Sequence, residues 1–197
     1  MKNIKTSILT SLIIVSLSNF STADDVVETL QEAIKSYENA EYSLAVEDIN
    51  YALQLIQQKK GQGLESYLPE PLPGWNAKKA KSQTAGAGMM GGGIITSRKY
   101  TKESSKVEIE IITDSPMMQG MMGIFTNPMF ATADGGKLER INREKAIVKY
   151  DEEKEKGEIS LAIGKRFFIK VEGQKVKLDE LKAYAKSIDF RKLKKLP

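Results

Sequence analysis

Apolar residues recur three and four positions apart from Val26 to Tyr37, at Val27, Leu30, Ala33, Ile34 and Tyr37, and again from Tyr42 to Gln58, at Tyr42, Ala45, Ile49, Ala52, Leu53 and Ile56. That spacing lines one side of a 3.6-residue helix and predicts two helices joined at Asn39-Ala40-Glu41. A pair of amphipathic helices needs something to cover its apolar side, so the pattern predicts a hairpin packed on its own domain.

Beyond Ile94 the period shortens to two. Ile94–Tyr100 and Val107–Thr113 read as a β-hairpin with Val107, Ile109 and Ile111 inward and Glu108 and Glu110 outward. Further strands are predicted around Leu138–Ile141, Ala146–Tyr150, Glu158–Ile163 and Phe167–Val171, separated by charged or Gly-bearing turns. A closing helix is predicted over about Leu178–Ile188, with Asp179 and Glu180 near its start and bases near its end, the signs that suit its dipole. Arg191-Lys192-Leu193-Lys194-Lys195-Leu196 after it reads as a frayed, solvated helix end.

The fold class is therefore α+β: an N-terminal helical hairpin, then an antiparallel sheet of about six strands with a Met-rich helix and a C-terminal helix packed on it. The expected organisation is a leader over 1–23, the hairpin over 24–60, a Pro/Gly-rich linker and loop over 61–93, and the sheet domain over 94–197, forming one compact unit with the hairpin. The linker holds Pro69, Pro71 and Pro73, which exclude a helix there, and delivers the single tryptophan, Trp75, as an anchor to the core.

Seven of the eight methionines lie between Met89 and Met129. Asp114-Ser115-Pro116 is a helix start and Thr126-Asn127-Pro128 a stop. Between them, helical phasing puts Met117, Met118, Met121, Met122 and Phe125 on one apolar face. Three readings stay open. The face packs on the sheet; or it is an adaptable contact surface for a protein partner or a lipid surface, since thioether side chains repack easily; or Met89, Met90, Met117, Met118, Met121, Met122 and Met129 supply soft ligands to Cu(I) or Ag(I). No other cofactor is called for.

Composition narrows the chemistry. There is no Cys and no His, which removes disulfides, thiolate nucleophiles, Ser-His-Asp triads and imidazole metal sites. No Ser is followed by Lys three residues on, so a Ser-x-x-Lys dyad is missing too. A carboxylate-based hydrolase around Asp114 and Asp134 stands at background level, because Asp and Glu are too common for any pair to identify itself. Gly86-Ala87-Gly88-Met89-Met90-Gly91 has the G-x-G-x-x-G count, but it follows Lys78-Lys79-Ala80-Lys81-Ser82 and precedes a β-like segment, the wrong context for dinucleotide binding.

Lys2 and Lys5 ahead of the apolar run Ile8–Val15, with the small residues Ser21-Thr22-Ala23, read as a secretory signal peptide, giving a periplasmic or secreted chain from about Asp24. No later stretch is apolar enough to span a bilayer as a helix. Charge falls in blocks: from Asp24 to Gln58 there are eight acids against one base, Lys35. Nucleic acid is not an expected partner, because the basic residues carry no aromatic interleaving.

Two resemblances add to this reading. Asn39-Ala40-Glu41-Tyr42 with Ala45, Ile49, Ala52 and Leu53 resembles the second helix of a single tetratricopeptide repeat, although Thr29 and Glu32 depart from that pattern in the first helix and no second copy follows. Pro-Leu-Pro-Gly-Trp at 71–75 and Gly-Met-Met-Gly-Gly-Gly at 88–93 resemble segments of an uncharacterised family of bacterial periplasmic proteins. The second resemblance implies export and a compact domain, and brings no activity. Together the residues point to an exported, non-catalytic binding or assembly factor using the Met-rich face, with Cu(I) or Ag(I) binding as the alternative.

Overall fold

The computed structural model describes residues 24–84, 93–115, 118, 120, 123, 125, 129 and 135–196. The leader over 1–23 and the glycine run with Met89 and Met90 lie outside the described residues. The fold is α+β, with a helical hairpin, an eight-stranded antiparallel sheet and two C-terminal helices.

Helix α1 spans Asp25–Glu38 and α2 spans Tyr42–Glu65. The side chain of Asp24 caps α1 by accepting from the Val26 amide. The turn between the helices is closed by Ala40, in the left-handed region at φ 61°, and by the Glu41 amide donating to the Ser36 carbonyl at 2.8 Å. The strands are β1 (Asn76–Ala77), β2 (Lys81–Thr84), β3 (Ile94–Lys102), β4 (Ser105–Thr113), β5 (Lys137–Ile141), β6 (Glu144–Asp151), β7 (Lys156–Ile163) and β8 (Phe167–Gln174). Their order is β1-β3-β4-β8-β7-β6-β5, with β2 also paired to β3. The chain thus leaves the central strand β4, crosses to the far edge at β5, and returns as a meander that ends with β8 beside β4.

Alternation of apolar residues decides which face holds the main core. Val107, Ile109 and Ile111 on β4, Phe167, Ile169 and Val171 on β8, and Ile159, Leu161 and Ile163 on β7 are all buried on one side. That side is closed by helix α3 (Leu178–Ser187) and the short α4 (Phe190–Lys194). Leu181, Tyr184, Ile188 and Leu193 enter the same core, and Trp75 meets the Tyr184 ring edge-on at 5.2 Å. The proline segment is held from both ends of this aromatic group: Tyr100 Oη donates to the Pro69 carbonyl at 2.7 Å, and the Leu72 amide donates to Tyr184 Oη at 3.4 Å.

Three expectations need correction. The sheet has eight strands rather than about six, because the segment expected to be linker contributes β1 and β2, both paired to β3. The hairpin's second helix continues past Gln58 to Glu65, through Gly61-Gln62-Gly63, because Gly61 lies against β2 where a larger residue would not fit. The C-terminus is not frayed. Asp189 caps α4 by accepting from the Arg191 and Lys192 amides, Leu193 is fully buried, and Arg166 Nη1 donates to the Leu196 carbonyl at 2.7 Å.

Candidate interaction surface

The two helices of the hairpin meet along small side chains. On α1 the buried residues are Val26, Thr29, Ala33 and Ser36; on α2 they include Ala45 and Ala52. Side chains this short let the backbones approach closely. The hydroxyls in the seam are paired, Thr29 Oγ1 donating to the Asp25 carbonyl at 2.8 Å and Ser36 Oγ to Asp48 at 3.2 Å.

Large apolar residues therefore lie beside the seam rather than in it. Val27, Leu30, Ile34 and Tyr37 on α1, with Tyr42, Val46, Ile49, Leu53 and Ile56 on α2, are each between 40 % and 66 % exposed. At 100° per residue each set occupies an arc of about 80°, next to the buried arc of its own helix and advanced in the same rotational sense. Antiparallel helices mirror that sense, so both arcs open to the same side of the hairpin. The Tyr37 and Tyr42 rings, 5.7 Å apart and edge-on, join them at the tip. Nine residues of this size, about half exposed, present on the order of 900 Å² of surface, more than the roughly 300–600 Å² of the largest patch on an ordinary monomer.

Charge is segregated from this face. The same helical phasing puts Asp25, Glu28 and Glu32 of α1, and Glu47 of α2, on the opposite side, while Gln31, Ser43, Asn50 and Gln57 flank the apolar stripe and Glu38 borders it at the tip. The hairpin seats on the sheet, but not by this stripe: among the described residues, α2 reaches the sheet through Gly61 and Leu64, one turn and more beyond it. The junction is polar at its centre. Ser82 Oγ donates to the Gly61 carbonyl at 2.7 Å and lies 3.1 Å from Thr96 Oγ1. Two ion pairs, Asp24–Lys59 and Asp114–Lys60, flank it; the former holds the Asp24 carboxyl below its ordinary range through the Lys59 hydrogen bond and the Val26 amide.

A smaller apolar cluster lies on the other face of the sheet. Met118 and Phe125 are helical and buried against Ile147 of β6 and Phe168 of β8, with the Phe125 and Phe168 rings 6.1 Å apart. Met129, also helical, is largely exposed. Met117, Met121 and Met122 lie outside the described residues, as does Asp134. Two of the residues expected to form one surface are thus brought together, facing inward.

Elsewhere several charged side chains are engaged with one another. On the outer sheet face Lys170 bridges Glu110 and Glu172 at 3.0 and 3.2 Å, and Lys99 pairs with Glu108. Burial works against the Lys170 ammonium, but the two carboxylates prevail and raise its pKa. A cleft of about 490 Å³ between the β5–β6 turn and α4 mixes Arg143, Lys186 and Arg191 with Asp189 and the Glu144–Lys194 pair. Neither place gathers a nucleophile, a base and an orienting group in the way acyl or phosphoryl chemistry requires. The hairpin face was present in the sequence as a spacing, but the signal that it points outward was the run Thr29, Ala33, Ser36, small residues that claim the seam for themselves.

Compared with protein-family models, curated protein sequences and solved structures, the chain matches none.

Proposed function

We propose that this protein is an exported, non-catalytic binding or assembly factor whose contact surface is the apolar face of the N-terminal hairpin. The observation that carries this reading is the exposure of nine large apolar residues on one side of a two-helix unit whose own seam is already filled. Apolar surface of that extent is costly to leave in water, and a protein that keeps it has something to cover it. The basic and apolar leader pattern over 1–23 supports export. The Met-rich segment has a lesser part in this reading, since Met118 and Phe125 are committed to the sheet.

Hydroxyl-radical footprinting compares the purified protein, diluted below any concentration at which it self-associates, with the protein in intact cell envelopes. Tyr37 and Tyr42 become protected in the envelope, while Tyr51, exposed on the opposite side of α2, reacts equally in both. Equal reactivity of all three in both settings refutes the proposal.

A further inference from the structure

We infer that the occupant of the hairpin face is a second copy of this chain, the two hairpins closing into an antiparallel four-helix bundle; the inference rests on the reading of that face as the contact surface. Three features of the face carry it.

The spacing is that of a bundle core. Val27, Leu30, Ile34 and Tyr37 follow a three-four-three pattern, and Tyr42, Val46, Ile49, Leu53 and Ile56 a four-three-four-three pattern. The stagger of the helices is fixed by Asp24–Lys59 and Ser36–Asp48. It sets Tyr37 level with Val46, Ile34 with Ile49, Leu30 with Leu53, and Val27 with Ile56. Four two-residue layers are half of a four-helix core, and a two-fold axis supplies the other half from the same sequence.

The taper fits a copy turned end for end. The tip carries the large Tyr37 and Tyr42, whereas the opposite end of the stripe carries Val27 and Ile56. Reversing one hairpin puts the tyrosines of each copy over the smaller residues of the other and leaves the isoleucine and leucine layers to meet in the middle, so that layer volumes even out.

The rim and the area suit a like partner. The block from Asp24 to Gln58 is strongly acidic, which would repel a second copy if the acids bordered the face. Asp25, Glu28, Glu32 and Glu47 lie on the far side; Glu38 borders the stripe at the tip, and the rest of the border is made of Gln31, Ser43, Asn50 and Gln57. A basic partner would find no carboxylate row beside the stripe to meet it. With on the order of 900 Å² available per copy, the face matches the about 800 Å² per partner of a standard stable interface.

Sedimentation equilibrium of the full chain, as recovered after expression, over roughly 1–100 μM tests this. A dimer is expected for the unmodified protein and for Tyr51→Glu, on the opposite side. Ile34→Glu combined with Ile49→Glu is expected to weaken association by about 100-fold or more. Trp75 fluorescence reports whether the sheet domain of each variant is intact, and if the glutamate pair disturbs it, Leu30→Gln with Leu53→Gln makes the same measurement with neutral side chains. A monomer throughout this range, a dimer indifferent to these variants, or a face covered instead by residues before Asp24 or by a foreign helix overturns the inference. Envelope protection of Tyr37 and Tyr42 in a chain that is monomeric when pure overturns the second copy alone; absence of that protection removes the contact surface as well.

Discussion

Gly61 of α2 and Ser82 of β2 touch so closely that a Cβ built on Gly61 would stand 2.9 Å from the Ser82 Cβ and 3.2 Å from Cγ2 of Ile94. Helix propensity favours alanine over glycine by up to about 1 kcal/mol, whereas forcing a carbon into a packed contact costs about 1–3 kcal/mol. The second effect wins at this position, so Gly61→Ala is expected to destabilise. Gly63, two residues on in the same helix, has open space around its would-be Cβ. Gly63→Ala is expected to stabilise by about 0.5–1 kcal/mol. Urea melts of the two variants should shift in opposite directions; a common direction would contradict the helix–strand contact.

Trp75→Ala removes an indole that fills the space between the proline segment and Tyr184. The expected cost is about 3–5 kcal/mol, measured as a lower denaturation midpoint in urea. Because Trp75 is the only tryptophan, the unmodified protein should show one buried, blue-shifted emission band that moves red in a single step on unfolding.

Tyr184 lies in the core, and burial pushes its phenol up to about 12; Tyr100 is raised further, also by burial, and Tyr150 is raised in the same direction. Between pH 10 and 12 the unfolded chain loses the Tyr184 proton while the folded chain keeps it, so the unfolded state binds fewer protons and stability falls with rising pH. The contribution is whole below the unfolded value near 10 and fades above it. Phenolate absorbance near 295 nm is expected to rise in two stages, the later one coinciding with loss of near-ultraviolet circular dichroism. A single unperturbed titration of all seven tyrosines would be inconsistent with the core described here.

Leu193→Ala should cost about 2–5 kcal/mol, although it lies in a five-residue helix four positions from the end of the chain. A frayed, solvated basic tail would tolerate the change without a measurable shift in thermal midpoint, so the size of the effect separates the two descriptions.

Peroxide should distinguish methionines by position. Met129 is expected to reach the sulfoxide quickly and Met118 only after global unfolding, as read by peptide mass spectrometry of a time course. Comparable rates at the two sites would mean that Met118 does not rest on Ile147 and Phe168.

Much of the sheet was legible because alternation is strict where one face is buried: Val107, Ile109 and Ile111 alternate with Glu108 and Glu110 on β4, while β7 and β8 bury the runs Ile159–Leu161 and Phe167–Ile169 and are legible as apolar runs. Strand β2 was not, since Lys81-Ser82-Gln83-Thr84 has no apolar residue to alternate and exists by pairing with the Ile94–Ser97 stretch of β3. Gly61 looked like a stop because glycine usually ends a helix; here close approach to a strand requires it. The hairpin was legible as two amphipathic helices, yet periodicity alone does not say which of two neighbouring arcs is covered. Thr29, Ala33 and Ser36 decide it, and their signal is small size rather than hydrophobicity. The tail misled for the opposite reason, four bases hiding the one leucine that matters.

Helix α2 runs without a break from the tip of the hairpin to its seat on β2 and β3, 24 residues or about 36 Å of continuous α-helix. One rigid rod therefore belongs to both halves of the molecule. Whatever grips the tip also dictates the bearing of the sheet, and where two such rods are clamped in opposite directions, their length sets the gap between the sheets, making the protein a spacer of fixed span.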